Sequence, residues 1–260
     1  MSDKPTVLEQ YDRALIVTMN QLSNRNALDG AMKDALFEAA QLFCSDAALH
    51  CLVITGTDNI FCAGGDLRNM SGDRRTVAVR ERMARTHRIT KLLSSCEKPV
   101  ITAVNGAAVG AGLSLALLGD IIVAADDAFF VSGFSKVGVF PDGGIVYNLP
   151  RAVGLVRAKD ILLTNRRIDA HEALAIGLVS RVLPKMQFNA SVRELATQIA
   201  NGPAISLGLT KNLLNASHRD NLDDFLTKES LAQAVVFGTD DFAEGNLAFA
   251  EKREPKFSGK

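Results

Sequence analysis

The chain has 260 residues, and 29 lysines and arginines balance 29 aspartates and glutamates, so the formal net charge is zero. That balance argues against a nucleic-acid binder, which normally carries a basic excess, and against a polybasic membrane-surface protein. Apolar residues make up 47% and charged residues 22%, which excludes intrinsic disorder and leaves a chain long enough to bury a large core.

Strands and helices alternate from the start. TVLEQ (Thr6–Gln10) and ALIVTMN (Ala14–Asn20) read as strands joined by Tyr11-Asp12-Arg13. Residues 29–43 have helical spacing, with Asp29 as the N-cap. HCLVITG (His50–Gly56) is a short apolar strand, and the loop TDNIFCAGGDL follows it. Residues 73–97 form a long helical pattern whose apolar face carries Val77, Met83, Ile89 and Leu93. Pro99–Gly119 holds no charged residue and is long enough to cross a bilayer. Asn105 and Gly106 split it, and VITAV (Val100–Val104) is a β-branched run suited to a buried strand. It therefore reads as strand, tight turn and buried helix, with a further strand at Asp120–Ala125. Beyond Leu149 the pattern is helical at 155–163, 169–176, 185–200, 204–216, 221–237 and 240–251, with one late strand at Leu178–Leu183. The order predicts an α/β core over residues 1–200 and a C-terminal helical region over 201–260.

The cysteines, Cys44, Cys51, Cys62 and Cys96, form no CxxC pair and no zinc-ligand pattern, so no metal is expected. Without a disulfide framework the chain reads as cytoplasmic with reduced thiols. The opening MSDKPTVLEQ has no apolar signal core, which agrees.

Two glycine-rich loops follow strands: FCAGGDL (Phe61–Leu67) and NGAAVGAG (Asn105–Gly112). Neither is a phosphate-binding P-loop, and the second reads GxxxGxG rather than the dinucleotide fingerprint. Taken singly, each is more simply a structural turn. Taken together they say more. One backbone N–H from each loop can converge on a single carbonyl oxygen, the second at a helix N-terminus. Such an oxyanion hole suits thioester chemistry that passes through an enolate or tetrahedral oxyanion.

IFCAGGDL, KPVITAVNGAAVGAGLSLALLGDIIVAA and FSKVGVFPDGG, with LSNRNALD (Leu22–Asp29) and AFAEKREPKF (Ala248–Phe257), resemble the crotonase (enoyl-CoA hydratase/isomerase) superfamily over nearly the whole chain. FSKVGVFPDGG and EGNLAFAEKREPKFSGK look most like its 1,2-epoxyphenylacetyl-CoA isomerases. The resemblance implies a crotonase (ClpP/crotonase-like) fold, a spiral of ββα units with an α-helical C-terminal trimerisation region. It implies an acyl-CoA thioester as substrate and a homotrimer or a homohexamer built from two trimers. No tightly bound cofactor is implied, coenzyme A being part of the substrate, and neither nucleic acid nor membrane is expected as a partner.

Carried over residue by residue, the resemblance makes the N–H groups of Gly65 and Ala111 the oxyanion donors. Hydratases of the family hold a water with two glutamates, and those positions are Ser114 and Phe134 here. Neither can ionise, so two-glutamate hydration has no carboxylate pair to work with, and both residues are expected to line the acyl pocket. Asp142, in VFPDGG, matches the aspartate that isomerases of the family use to shuttle a proton. One base that removes a proton at one carbon and returns it at another suffices for double-bond migration. The plain alternative is a turn-capping aspartate. An apolar wall including Phe134 is expected to raise the pKa of Asp142 by desolvation.

Dehalogenase-like chemistry is the alternative within the family, since 4-chlorobenzoyl-CoA dehalogenases carry a nucleophilic aspartate at the position of Asp142 and a general-base histidine at that of His87. LLTNRRIDAHEALAIGLVSRVLP also resembles those enzymes, but their tryptophan is Phe134 here and the chain has no tryptophan. His87 otherwise reads as a partly exposed helix residue. Thioesterase chemistry and weak hydration remain open alternatives, as does a non-catalytic RNA-binding homologue. Zero net charge and the retained Asp142 speak against the RNA reading. Coenzyme A is expected at Arg25, Ala27, Leu28, Ala63, Asp66 and Leu67, with Phe249 and Lys252 supplied by a neighbouring subunit. The basic C-terminal tail is either a solvated surface or a local attraction for the nucleotide phosphates.

Overall fold

The chain opens on a hairpin because two runs of β-formers flank a link that tolerates a tight turn. In the computed structural model, which describes residues 4–66 and 75–260, β1 (Thr6–Tyr11) pairs antiparallel with β2 (Ala14–Met19). Asp12 in the link takes φ 54°. Helix α1 (Gly30–Ser45) then starts at Asp29, whose carboxylate accepts the Met32 N–H at 2.8 Å. Its apolar stripe buries Met32, Leu36, Ala39, Ala40 and Phe43.

From there the chain winds through repeating turns. β3 (Cys51–Gly56) and β4 (Ile60–Cys62) precede α2 (Thr76–Ser95). β5 (Val100–Val104) and β6 (Ala107–Val109) precede α3 (Ala111–Ala116). β7 (Ile121–Ala125) and β8 (Phe129–Val131) precede α4 (Ile145–Val153). In each turn the first strand enters one sheet and the second enters another. With β9 (Arg167–Asp169) and β10 (Arg181–Leu183), the six-stranded sheet runs β1-β2-β3-β5-β7-β10 and the four-stranded one β4-β6-β8-β9. All pairings are parallel except β1 with β2 and β8 with β9. Parallel strands covered on both faces become unbroken apolar runs, and Val100–Val104 is buried throughout.

The remaining helices are α5 (Leu155–Thr164), α6 (Ala170–Ala175), α7 (Phe188–Ala200), α8 (Ala204–Ala216), α9 (Leu222–Phe237) and α10 (Asp240–Glu251). A buried ammonium ties α8 to the strands: Lys211 Nζ donates to the carbonyls of Leu93 and Lys98 and sits 2.8 Å from Asp120.

Several elements depart from the sequence pattern. β4, β6, β8 and β9 have three residues each, too few for a periodicity to register. Both glycine-rich loops therefore begin with a short strand. Helix α4 is unannounced because Pro150 lies inside it. Ile89 and Leu93 are buried on α2 as expected and Thr86 joins them, but Val77, expected on the same face, is 69% exposed. The uncharged stretch Pro99–Gly119 holds β5, β6 and the buried α3, and no helix among the described residues is long and apolar enough to cross a membrane.

Candidate active site

The two glycine-rich loops meet. A Cβ on Gly64 would fall 2.7 Å from the Val109 carbonyl and 3.3 Å from the Ala111 nitrogen, so only glycine allows the loops this close. Gly64 also has φ 97°, and the second loop's positive φ falls on Gly110, at 56°. Ala111 therefore begins α3 with ordinary backbone, and its methyl group introduces no strain. As the first helical residue, Ala111 has an N–H with no intrahelical acceptor. Among the described residues no carbonyl accepts from the N–H of Gly65 or of Ala111.

A third segment holds the first loop in place. The Leu28 N–H donates to the Gly64 carbonyl at 2.7 Å, and the Ala63 N–H donates to the Arg25 carbonyl at 3.1 Å. Arg25 and Asn26 adopt left-handed φ of 58° and 55°. Asn26 is fully buried: its Oδ1 accepts the Gln21 N–H, and its Nδ2 donates to the Ile60 carbonyl. Sequence reasoning passed over Asn26. Its signal is that asparagine tolerates the left-handed region better than most residues. Ala27 and Leu28 are buried, so their side chains pack inward and only their backbone is available to a ligand. Burial pushes the Cys62 thiol up to about 12, which leaves it an inert core group.

Asp142 sits on the turn that leads into α4. The Ser114 hydroxyl, one helical turn beyond Ala111, donates to the Asp142 carbonyl at 2.8 Å. Ser114 thus commits its hydroxyl to the turn, and α3 links the second free N–H to the carboxylate-bearing turn. Asp142 Oδ1 is buried and has no hydrogen-bond partner among the described residues. Burial pushes the carboxyl pKa up, and the nearby charges of Lys33 and His87 oppose that rise. Lys33 was not anticipated. It lies one turn into α1, half-buried, and burial lowers its own pKa.

The other expected residues are spread more widely. His87 is an exposed residue of α2, within electrostatic range of Asp142. Phe134 is buried in the main apolar cluster. Asp66 is half-buried and engaged by a neighbouring group, and Leu67 lies outside the described residues. Phe249, on α10, is 87% exposed, and Lys252 caps that helix with φ 56°. In the tail, Arg253 is paired with Glu244 and Glu251, so its charge is already answered.

A cavity of about 1130 Å³ lies elsewhere, lined by Lys91, Asp120, Tyr147, Arg151 and His218 among others. Neither free N–H nor Asp142 borders it, so size does not locate the chemistry. No three His, Cys, Asp or Glu side chains among the described residues gather as a metal site. Two loops in close approach, and an aspartate turn bonded to the helix that the second loop opens, bring together the kinds of group that can hold an oxyanion and move a proton.

The two-sheet spiral of ββα turns is the crotonase fold. The family model described as enoyl-CoA hydratase/isomerase matches residues 9–260. The chain is 35% identical to the 1,2-epoxyphenylacetyl-CoA isomerase of Escherichia coli (strain K12) over 98% of both proteins. It is 34% identical to a probable enoyl-CoA hydratase of Rhodobacter capsulatus over 94% of both. The crystal structure of an enoyl-CoA hydratase from Bacillus anthracis matches with a TM-score of 0.93 at 29% identity, covering 98% of this chain and 100% of that one. The chain belongs to the enoyl-CoA hydratase/isomerase family and is an enzyme acting on acyl-CoA.

Proposed function

We propose that the protein shifts the double bond of an enoyl-CoA, with Asp142 as the single acid/base and the Gly65 and Ala111 N–H groups as the oxyanion donors. The observation that carries this reading is the buried Oδ1 of Asp142, which has no hydrogen-bond partner among the described residues, in a site where Ser114 and Phe134 cannot ionise. The Asp142 carboxylate takes a proton from one carbon of the acyl chain. The electrons move into the thioester carbonyl, and the resulting dienolate oxygen rests on the two N–H groups. The carboxylic acid then returns the same proton at a different carbon, which restores the thioester and leaves the double bond moved. Partial burial raises the carboxyl pKa toward the working range of such a shuttle.

The coenzyme A part of the substrate lies along Arg25, Ala27 and Leu28 and the loop at Ala63, Asp66 and Leu67. Phe249 and Lys252 complete that site in a neighbouring subunit of a cytoplasmic homotrimer or a homohexamer of two trimers. The exposure of Phe249 supports the arrangement. The test is Asp142→Asn assayed on a panel of enoyl-CoA thioesters. Turnover is expected to collapse while CoA affinity stays, and near-normal isomerisation would overturn the assignment.

One observation favours a second reading. His87 stands within electrostatic range of Asp142, an arrangement that also serves a nucleophilic aspartate with a histidine base, as in dehalogenase-like or thioesterase chemistry. Mass spectrometry after a single turnover separates the two, because the second reading predicts a covalent adduct on Asp142 or release of free CoA.

A further inference from the structure

A serine inside a helix commonly turns its hydroxyl back on its own chain, donating to the carbonyl four residues earlier. Ser114 does not. It lies within α3 and is 2% exposed, and its Oγ donates across to the Asp142 carbonyl at 2.8 Å. The carbonyl four residues earlier, that of Gly110, accepts the N–H groups of Leu113 and Ser114 instead. The hydroxyl is therefore spent on a bond between two elements rather than on its own helix.

The contact is shaped from the other side as well. Gly143, next after Asp142, has φ 67°, and a Cβ there would fall 2.8 Å from the Ser114 Cβ and 3.3 Å from its Oγ. A side chain at 143 would push the serine away from the carbonyl, so contact and backbone both require glycine. The Asp142 carbonyl also accepts the Ile145 N–H at 3.4 Å as α4 begins. On α3, Ser114 stands three residues after Ala111, about 4.5 Å along the axis. One short helix thus carries a free N–H in its first turn and grips the backbone of the carboxylate-bearing residue with the same turn. A second bond joins α3 to α4 without touching Asp142: Asn148 Nδ2 donates to the Leu117 carbonyl at 3.4 Å.

We propose that Ser114 is a positioning residue for Asp142, its hydroxyl and the bare Gly143 locking the turn to α3 so that the carboxylate keeps one place relative to the Ala111 N–H. The inference rests on the reading of Asp142 as the proton shuttle. A single carboxylate that serves two carbons in turn has to stay within reach of both, and a small misplacement of a reacting group costs rate rather than binding.

The test measures kcat, KM and affinity for free CoA in the wild type, Ser114→Ala, Asp142→Asn and the double variant. Asn148→Ala is the control that loosens α3 from α4 away from the turn. Ser114→Ala is expected to lower kcat about tenfold with KM and CoA affinity unchanged, and to change nothing further in the Asp142→Asn background. Asn148→Ala should lower Tm by a similar margin and leave kcat alone. An unchanged kcat in Ser114→Ala overturns the proposal, as does a loss that recurs in full in the Asp142→Asn background or in Asn148→Ala. Should Ser114→Ala fail to fold by circular dichroism, Ser114→Cys, which nearly keeps the volume and weakens the donor, is read in the same way. Normal turnover in Asp142→Asn overturns the shuttle itself, whatever Ser114→Ala does, so the two failures are distinct.

Discussion

The strand core and the C-terminal helices are built on opposite principles. In the core, β5 is buried along its length, and the site is assembled from backbone: two loops that nearly touch, a third segment bonded to one of them, and a turn held by Ser114. Among the helices that follow, α9 buries none of its side chains and leaves Leu222, Leu226, Leu231, Val235 and Phe237 exposed. A surface of that kind marks an interaction site. The core turns its apolar residues inward, whereas α8 meets it through Gly208 packed on the Glu97 backbone and through Lys211, and α9 keeps its apolar side chains outward. On the proposed reading, chemistry and assembly fall on parts of the chain that different substitutions should separate.

The sharpest separation is Asp142→Asn, which should lower turnover by about 10²–10⁴-fold with CoA binding unchanged by calorimetry. It also carries a stability sign. The folded pKa of Asp142 is raised, so its contribution is fully present below the unfolded carboxyl pKa and is lost as pH rises through the folded one. Asp142→Asn is therefore expected to raise Tm at neutral pH, with the gain shrinking on acidification in scanning calorimetry.

The next largest effect falls on the link between the regions. Lys211→Ala leaves Asp120, the Leu93 carbonyl and the Lys98 carbonyl without their shared donor. It should destabilise the fold by about 3 kcal/mol, measured as a lower urea midpoint. An unmoved midpoint would show that Lys211 does not hold the two regions together.

Leu231→Glu, on α9, is aimed at assembly alone. A smaller particle in light scattering, with a monomer that still melts cooperatively, is the expected result. An unchanged particle mass would show that α9 is not the assembly surface. Ser114→Ala removes one hydrogen bond to the Asp142 turn and should cost about 1 kcal/mol, with turnover falling more than CoA affinity.

The smallest effect concerns the tail. Arg253 and the Lys256 N–H hold the Glu244 carboxyl down to about 2. That stabilisation is present above the ordinary glutamate pKa and is lost as pH falls toward the folded value. Hydrogen exchange over residues 253–260 should rise there ahead of the core.

Much of the architecture was legible because long elements carry their own signals. The Asp29 cap, the VITAV strand and helices α8 to α10 follow from periodicity and capping chemistry. The three-residue strands were not legible, since their pairing is decided by β-partners distant in sequence. Within the candidate site, both glycine-rich loops could be named from residue patterns, and Asp142 from the family resemblance. Lys33 could not, because one lysine on an amphipathic helix looks like any solvated charge, and only the folded chain brings its charge to bear on a carboxylate.

By itself, then, the sequence determined the order of elements, the glycines that let the two loops approach, and the absence of ionisable groups at Ser114 and Phe134. Those are local matters of backbone freedom and side-chain chemistry. Tertiary structure alone decided that Ser114 would hold the turn of Asp142 and that one oxygen of its carboxylate would be buried. Distance and desolvation are properties of packing, and no stretch of sequence contains them.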